Sequence, residues 1–156
     1  TMPNTPALVG QGMTGIFASN LSEVEHGWVE NTLTAIGQTV WVAQESQIDA
    51  ITAISGSGPA YVFYMMEHLT QAALDLGFDA ATAKQLVQAT FAGAVQLAGE
   101  STETIATLRE RVTSKGGTTA AALASFSAHG LDSAIHAGVV ACKARAEELA
   151  RELSAG

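Results

Sequence analysis

The stretch PAYVFYMMEHLTQAALDL, residues 59–76, decides the fold class because it is apolar on nearly every side of a helix. Helices without a polar face are usually buried. A chain of 156 residues can hardly surround such a helix alone, so we expect a second copy to cover it. A central helix in a monomeric bundle is the alternative. The large apolar side chains are Tyr61, Val62, Phe63, Tyr64, Met65, Met66, Leu69, Leu74 and Leu76.

Helical patterns continue on both sides of this stretch, from about Glu45 onward. The spacing of apolar residues predicts a mainly α fold. Many of the 29 alanines lie in these segments, and small side chains let helices approach closely. The predicted helices are Gln47–Ile54, Pro59–Leu76, one capped by Asp79, Thr102–Val112, Thr118–Ala128 and Leu131–Leu153.

The N-terminal part has a different pattern, that of a strand, a helix and a second strand. Gly12–Ala18 and Thr39–Ala43 are predicted strands. Ser22 and Glu25 have the spacing of a capping box at the start of the helix between them. Because two strands make only a marginal sheet, we expect this part to be the edge of a larger one.

Composition and charge exclude several classes of protein. The chain is 47% hydrophobic and 14% charged, which excludes disorder. Its net charge of −8 with seven Lys and Arg argues against a nucleic-acid partner. With Cys142 as the single cysteine, no internal disulfide can form and no metal site is predicted. No apolar run approaches the ~20 residues of a membrane span, so we expect no membrane association and a cytoplasmic location.

The loop VTSKGGTT, residues 112–119, is the strongest candidate site. Gly116 and Gly117 permit a tight turn directly before a helix. The first N–H groups of a helix lack partners, and the helix dipole favours an anion there. We therefore predict a pocket for a carboxylate or phosphate. An ordinary glycine turn with a threonine cap is the alternative.

Two other turns are less informative. SGSGP, residues 55–59, resembles part of a dinucleotide-binding loop, but that loop needs a preceding strand and a third glycine where this chain has Tyr61. We predict a turn between two helices instead. MPNTP, residues 2–6, predicts a rigid turn that presents Asn4 and Thr5.

The order MPNTP, TVWV, ISGSGPAYVF, VTSKGGTT resembles pyrroline-5-carboxylate reductase, the last enzyme of proline biosynthesis. The resemblance implies a helical-bundle dimerisation domain of the 6-phosphogluconate dehydrogenase C-terminal type at 45–156. It implies that residues 1–44 are the last strand–helix–strand edge of a Rossmann domain. We expect the rest of that domain, with its phosphate-binding glycines, to be missing from this sequence.

The resemblance also implies a site. Thr119 would be the catalytic residue, and the N–H groups of Gly117, Thr118 and Thr119 would hold the carboxylate of pyrroline-5-carboxylate or proline. Asn4 and Thr5 would contact NADPH or NADH, which the missing domain would mainly bind. A homodimer is expected, and dimers could assemble into a larger ring. The implied substrate-binding residues are Val112, Ser114, Gly116, Gly117, Thr118 and Thr119.

Two other functions stay open at this point. The chain could be a helical dimerisation module that has lost catalysis, although packing alone would not need the Gly-Gly-Thr-Thr sequence. It could also be the helical domain of a hydroxy-acid dehydrogenase. Such enzymes use a helix-borne lysine, and Lys84, Lys115 and Lys143 have no evident catalytic context. Lys115 itself departs from the family, in which many members have proline.

Overall fold

A computed structural model describes residues 1–154 and shows a mainly α chain with two short strands, as predicted. A 3-10 turn at Thr5–Val9 comes before the first strand, and a π-helical turn at Thr52–Gly56 follows α2. The elements are β1 (Gly12–Ile16), α1 (Glu23–Thr34), β2 (Gly37–Trp41), α2 (Gln47–Ile51), α3 (Gly58–Asp75), α4 (Ala80–Glu100), α5 (Ile105–Arg111), α6 (Thr118–Ala128) and α7 (Leu131–Ser154).

The chain divides into two compact units. The first comprises Thr1–Val62 with Ile135–Gly156, and the second comprises Phe63–Ala134. The boundary between residues 44 and 45 that the sequence suggests stays a prediction.

The first unit contains the predicted strand–helix–strand edge. Strands β1 and β2 pair in parallel from Gly12 opposite Gly37 to Ile16 opposite Trp41. Thr14 and Ile16 on β1 are buried, and each is only 1% exposed. The small core of this unit therefore forms around β1.

Gly37 begins β2, two residues before the predicted strand start at Thr39. Helix α1 stops at Thr34, three residues earlier. Gly37 has a φ of +149°, and a Cβ there would overlap the backbone of Gly12. The strands thus start where two glycines allow the backbones to meet, which moves the second strand two residues toward the N-terminus relative to its prediction.

The predicted helix caps are confirmed. The Ser22 hydroxyl accepts the N–H of Glu25 at 3.3 Å, and the Glu25 carboxylate accepts the N–H of Ser22 at 2.9 Å. Asp79 accepts two N–H groups of the first turn of α4. Thr104 caps α5, so that helix starts at Ile105 and not at Thr102.

The SGSGP segment does not form the separate turn between two helices that the sequence predicts. The chain continues through Thr52–Gly56 as a π-helical turn, closed by a bond of 2.8 Å from the Ser57 N–H to the Thr52 carbonyl. Helix α3 follows at once from Gly58. None of the glycines here needs a positive φ, so helical geometry is retained.

The second unit buries little of its apolar surface. Ala83 and Val87 on α4 are the buried residues of its helices within the described chain. Phe63 is 64% exposed and Tyr64 is 63% exposed. The apolar sides of these helices therefore lack cover in the single chain. Other exposed large side chains of this unit are Met65, Leu69, Leu76, Phe78, Leu86, Val95, Leu97, Ile105, Val112, Phe126 and Leu131.

Candidate functional site

The 112–119 loop leads directly into the N-terminus of α6. Gly116 takes the left-handed conformation with a φ of +73°, which a glycine adopts without steric cost. Gly117 is extended, with φ −80° and ψ 175°, and stands at the N-cap position without a side-chain cap. Helix α6 then begins at Thr118, as predicted.

The free N–H groups at this helix start belong to the residues after Gly117. The N–H of Gly117 already donates to the Ser114 carbonyl at 3.0 Å, and the N–H of Ala121 donates to the Gly117 carbonyl at 3.1 Å. Among residues 1–154, the N–H groups of Thr118, Thr119 and Ala120 make no backbone hydrogen bond. These three donors, at the positive end of the helix dipole, are available to an anion.

The side chains around the turn leave this helix start open. Thr118 and Thr119 are exposed, and their hydroxyls make no hydrogen bond within the described chain. Val112 is 64% exposed at the end of α5. The start of the loop is attached to the end of α5, because the Thr113 hydroxyl donates to the Arg109 carbonyl at 2.6 Å.

Ser114 lies directly against Gly117. A Cβ at position 117 would overlap the Ser114 hydroxyl and would stand 3.2 Å from the Ser114 carbonyl oxygen. Gly116 supplies the positive φ, and at position 117 any Cβ would displace the Ser114 hydroxyl and press on the Ser114 carbonyl. The cation nearest in sequence, Lys115, is exposed, whereas Arg111 pairs with Glu103 on the same unit.

Asn4 and Thr5, the predicted cofactor contacts, lie in the first unit. The Asn4 carboxamide donates to the Ser55 carbonyl at 3.0 Å and accepts the N–H of Met13 at 2.9 Å. Thr5 begins the 3-10 turn and is exposed. Asn4 is therefore held by the main chain, while Thr5 faces outward.

A second polar cluster in the first unit escaped sequence analysis. The Cys142 thiol on α7 donates to the Ser57 hydroxyl at 3.2 Å. The Tyr61 hydroxyl is buried, with no hydrogen-bond partner in the described part of the chain. The neighbouring Cys142 thiol raises the pKa of Tyr61, and burial is the second largest cause of this rise. Cys142 is half-buried, and its thiol is paired with the Ser57 hydroxyl.

The only sequence signal for this cluster is the four-residue spacing between Ser57, which directly precedes α3, and Tyr61 in the first turn of α3. Nothing local indicates that Cys142, 85 residues further along the chain, lies against Ser57. Contacts of this range are visible only in the folded structure.

The described residues do not offer a dinucleotide phosphate site. Such a site needs a glycine-rich turn between a strand and a helix, but the segment between β1 and α1 reads FASNLS. Across residues 1–154, no three His, Cys, Asp or Glu side chains are placed to share a metal ion. No helix in the same residues is long and apolar enough to cross a membrane.

Comparison with known proteins assigns the chain to a family. The family model described as pyrroline-5-carboxylate reductase dimerisation matches residues 45–149. The chain is 48% identical over 150 residues to a pyrroline-5-carboxylate reductase of Haemophilus influenzae, covering 95% of this chain and 55% of the relative. It is 44% identical to the Pseudomonas aeruginosa enzyme, covering 97% and 56%. The chain therefore belongs to the pyrroline-5-carboxylate reductase dimerisation family.

Solved structures agree with this assignment. A pyrroline-5-carboxylate reductase of Coxiella burnetii matches with a TM-score of 0.91 and 40% identity, over 95% of this chain and 55% of that one. The Plasmodium falciparum enzyme, solved with NADP bound, matches with a TM-score of 0.85 and 31% identity, over 94% and 60%. The chain thus spans little more than half the length of the relatives it matches, and it corresponds to their C-terminal part.

Proposed function

We propose that this chain is the substrate-binding and dimer-forming part of a reductase that converts 1-pyrroline-5-carboxylate to proline with NADPH or NADH. The observation that carries the proposal is the open N-terminus of α6, with three free N–H groups and two exposed threonine hydroxyls. Membership of the family supports the choice of substrate.

The N-terminus of α6 suits the carboxylate of this substrate. The N–H groups of Thr118, Thr119 and Ala120 would donate to the carboxylate oxygens, and the helix dipole would favour its charge. The N–H of Gly117 is left out because the Ser114 carbonyl already accepts it. Val112, Ser114 and Gly116 would form the wall of the turn.

Thr119 would orient the reacting ring. Its hydroxyl is free to hydrogen-bond the ring nitrogen, which must be protonated as the C=N bond is reduced. A hydroxyl is a poor acid at neutral pH, so we assign Thr119 an orienting or proton-relaying role on an already protonated imine. The protonated imine is the better hydride acceptor.

The hydride donor is assigned to the part of the relatives' length that this chain does not span. The described residues lack the phosphate-binding turn that a dinucleotide needs. Thr5, and Asn4 beside it, remain the proposed contacts at the nicotinamide end. We expect the chain alone to show no reductase activity.

The uncovered helices support a homodimer. An interface that covers Phe63, Tyr64 and their neighbours would remove large apolar side chains from water. Stable obligate interfaces commonly bury more than about 2,000 Å². We propose that α3 and α7 form it, and that further assembly of dimers into a ring is a second step.

A catalytically inactive dimerisation module is the alternative function, and proline binding separates the two. Chemical shifts of the ¹⁵N-labelled chain are followed during a titration with L-proline, with pyrrolidine as the control that lacks a carboxylate. We expect shifts at residues 114–120, a Kd near millimolar for so small a ligand, and none with pyrrolidine. Shifts confined to other residues, or no response to proline, would contradict the proposed site.

A further inference from the structure

The Ser55 carbonyl cannot receive its α-helical hydrogen bond because of Pro59. In an α-helix this carbonyl would accept the N–H of the residue four positions later, which here is a proline without an N–H. The N–H of Ala60, which a π-helical pattern would direct to this carbonyl, donates to the Ser57 carbonyl instead, at 3.0 Å. A half-buried carbonyl without a donor is costly.

The Asn4 side chain supplies the missing donor. Its Nδ2 donates to the Ser55 carbonyl at 3.0 Å, across 51 residues of sequence. Its Oδ1 accepts the N–H of Met13 in β1 at 2.9 Å. Two residues further along the strand, the N–H of Gly15 donates to the Met2 carbonyl. One carboxamide thus joins the edge of the sheet to the π-helical turn.

We infer that Asn4 is a positioning residue. Its carboxamide replaces the N–H that Pro59 lacks and so holds the π-helical turn against β1. By fixing Asn4, these bonds would also position the neighbouring Thr5 as a cofactor contact. Only this consequence rests on the proposed function. The two carboxamide bonds can be tested whether or not the chain binds proline.

The close packing around the join is consistent with a fixed turn. A Cβ on Gly56 would stand 2.6 Å from the Met2 side chain, and one on Gly15 would stand 2.6 Å from the Ile51 side chain. The π-helical turn therefore lies against Met2, and β1 lies against Ile51 at the end of α2. A carboxamide between them has little freedom to change partners.

The test compares Asn4→Ala, Asn4→Asp, Pro59→Ala and the Asn4→Ala/Pro59→Ala double variant by amide hydrogen exchange. Asn4→Ala should speed exchange of Met13 and of residues 52–57 about fivefold to tenfold, as expected for one lost hydrogen bond. Asn4→Asp keeps an acceptor for Met13 but places no donor against Ser55, so only residues 52–57 should exchange faster.

The double variant is the decisive arm. Pro59→Ala restores an N–H that can reach the Ser55 carbonyl, so residues 52–57 should regain protection while Met13 stays fast. If the double variant exchanges there as fast as Asn4→Ala, or if Asn4→Ala changes neither region, the inference is wrong. If the variants do not fold, a second measurement uses the unaltered chain. NMR should detect a scalar coupling between Asn4 Nδ2 and the Ser55 carbonyl carbon across their hydrogen bond, and the absence of this coupling would equally overturn the inference.

Discussion

The carbonyl of Ser114 accepts the N–H of Gly117 at 3.0 Å, and the hydroxyl of Ser114 fills the space that a Cβ at position 117 would need. The turn is therefore closed from the side of Ser114. Its open side is the N-terminus of α6, where the N–H groups of Thr118, Thr119 and Ala120 are free. Substitutions at Gly117 and at Thr119 probe these two sides separately.

Gly117→Ala should weaken proline binding about fivefold, because the new methyl group displaces the Ser114 hydroxyl and presses on its carbonyl, at a cost near 1 kcal/mol. The φ of Gly117 is negative, so backbone strain is not the cause. Adding Ser114→Ala should restore part of the affinity, which the proline titration measures.

The matched control for that variant is Gly99→Ala in α4, where a Cβ meets no atom within 4 Å. Because Gly99 lies in the last turn of α4, alanine should raise the free energy of unfolding by less than the roughly 0.5–1 kcal/mol of a helix interior and leave proline binding unchanged. Equal losses of proline affinity in Gly99→Ala and Gly117→Ala would mean that the loop is not the site.

Thr119→Val should weaken proline binding by roughly 0.5–1.5 kcal/mol, the value of one neutral hydrogen bond. The substitution keeps the shape and the backbone N–H. Thr118→Val is the control, because only its N–H is proposed to bind and that group remains. Both affinities come from the same titration, and an equal effect of the two substitutions would remove the special role of Thr119.

Phe63→Glu should dissociate the proposed homodimer. Phe63 is 64% exposed in the single chain, and a charge in a buried apolar interface is strongly unfavourable. Light scattering at micromolar concentration should give about twice the 16.0 kDa chain mass for the unaltered chain and the single mass for the variant. Gln88→Glu, a charge added at an exposed position of α4, is the control and should leave the dimer intact. A 16.0 kDa particle for the unaltered chain would contradict the proposal.

Glu30 should make stability depend on pH in the acidic range. The Thr39 hydroxyl and then the Trp41 indole N–H donate to its carboxylate and lower the pKa of Glu30 below its ordinary value of 4.5. A carboxylate with a depressed folded-state pKa stabilises the fold above its unfolded pKa and loses this contribution as pH falls through the folded value. The difference in unfolding free energy between the unaltered chain and Glu30→Gln should therefore be present at pH 7 and shrink below pH 4.5.

Thr39→Val tests the cause of that shift. Without the hydroxyl, the pKa of Glu30 should move back toward 4.5, and the pH-dependent difference should become smaller. Urea unfolding at several pH values measures both variants. A difference that stays constant from pH 7 down to strongly acidic pH would show that the Glu30 charge is not what the two hydrogen bonds stabilise.

Local signals in the sequence are enough for most of the helices. The Ser22–Glu25 capping box and the Asp79 cap act within one turn, so their side chains reveal the helix start directly. The start of α6 at Thr118 is also a local signal, because the two glycines before it disfavour a helix. Helix-forming patterns likewise identify the apolar faces, although not what covers them.

Apart from the start of α5, which a local Thr104 cap sets, the features that the sequence does not predict depend on distant partners. Gly37 faces Gly12 across the sheet, which no local pattern shows. The Asn4 bond to Ser55 spans 51 residues and the Cys142 bond to Ser57 spans 85. In the candidate site, the start of α6 at Thr118 was predictable from the two glycines that precede it. Which N–H groups are free was not, because the Ser114 bond to Gly117 depends on the conformation of the turn.

The π-helical turn at Thr52–Gly56 makes this part of the chain more sensitive to length than to composition. Deleting one of its five residues would let α2 run into α3 as one regular helix, with Pro59 in the interior where its ring meets the carbonyl four residues back. Each residue removed also rotates the remainder of the helix by about 100°. All later side chains of α3 would then point in new directions, a change that no single substitution in the turn produces.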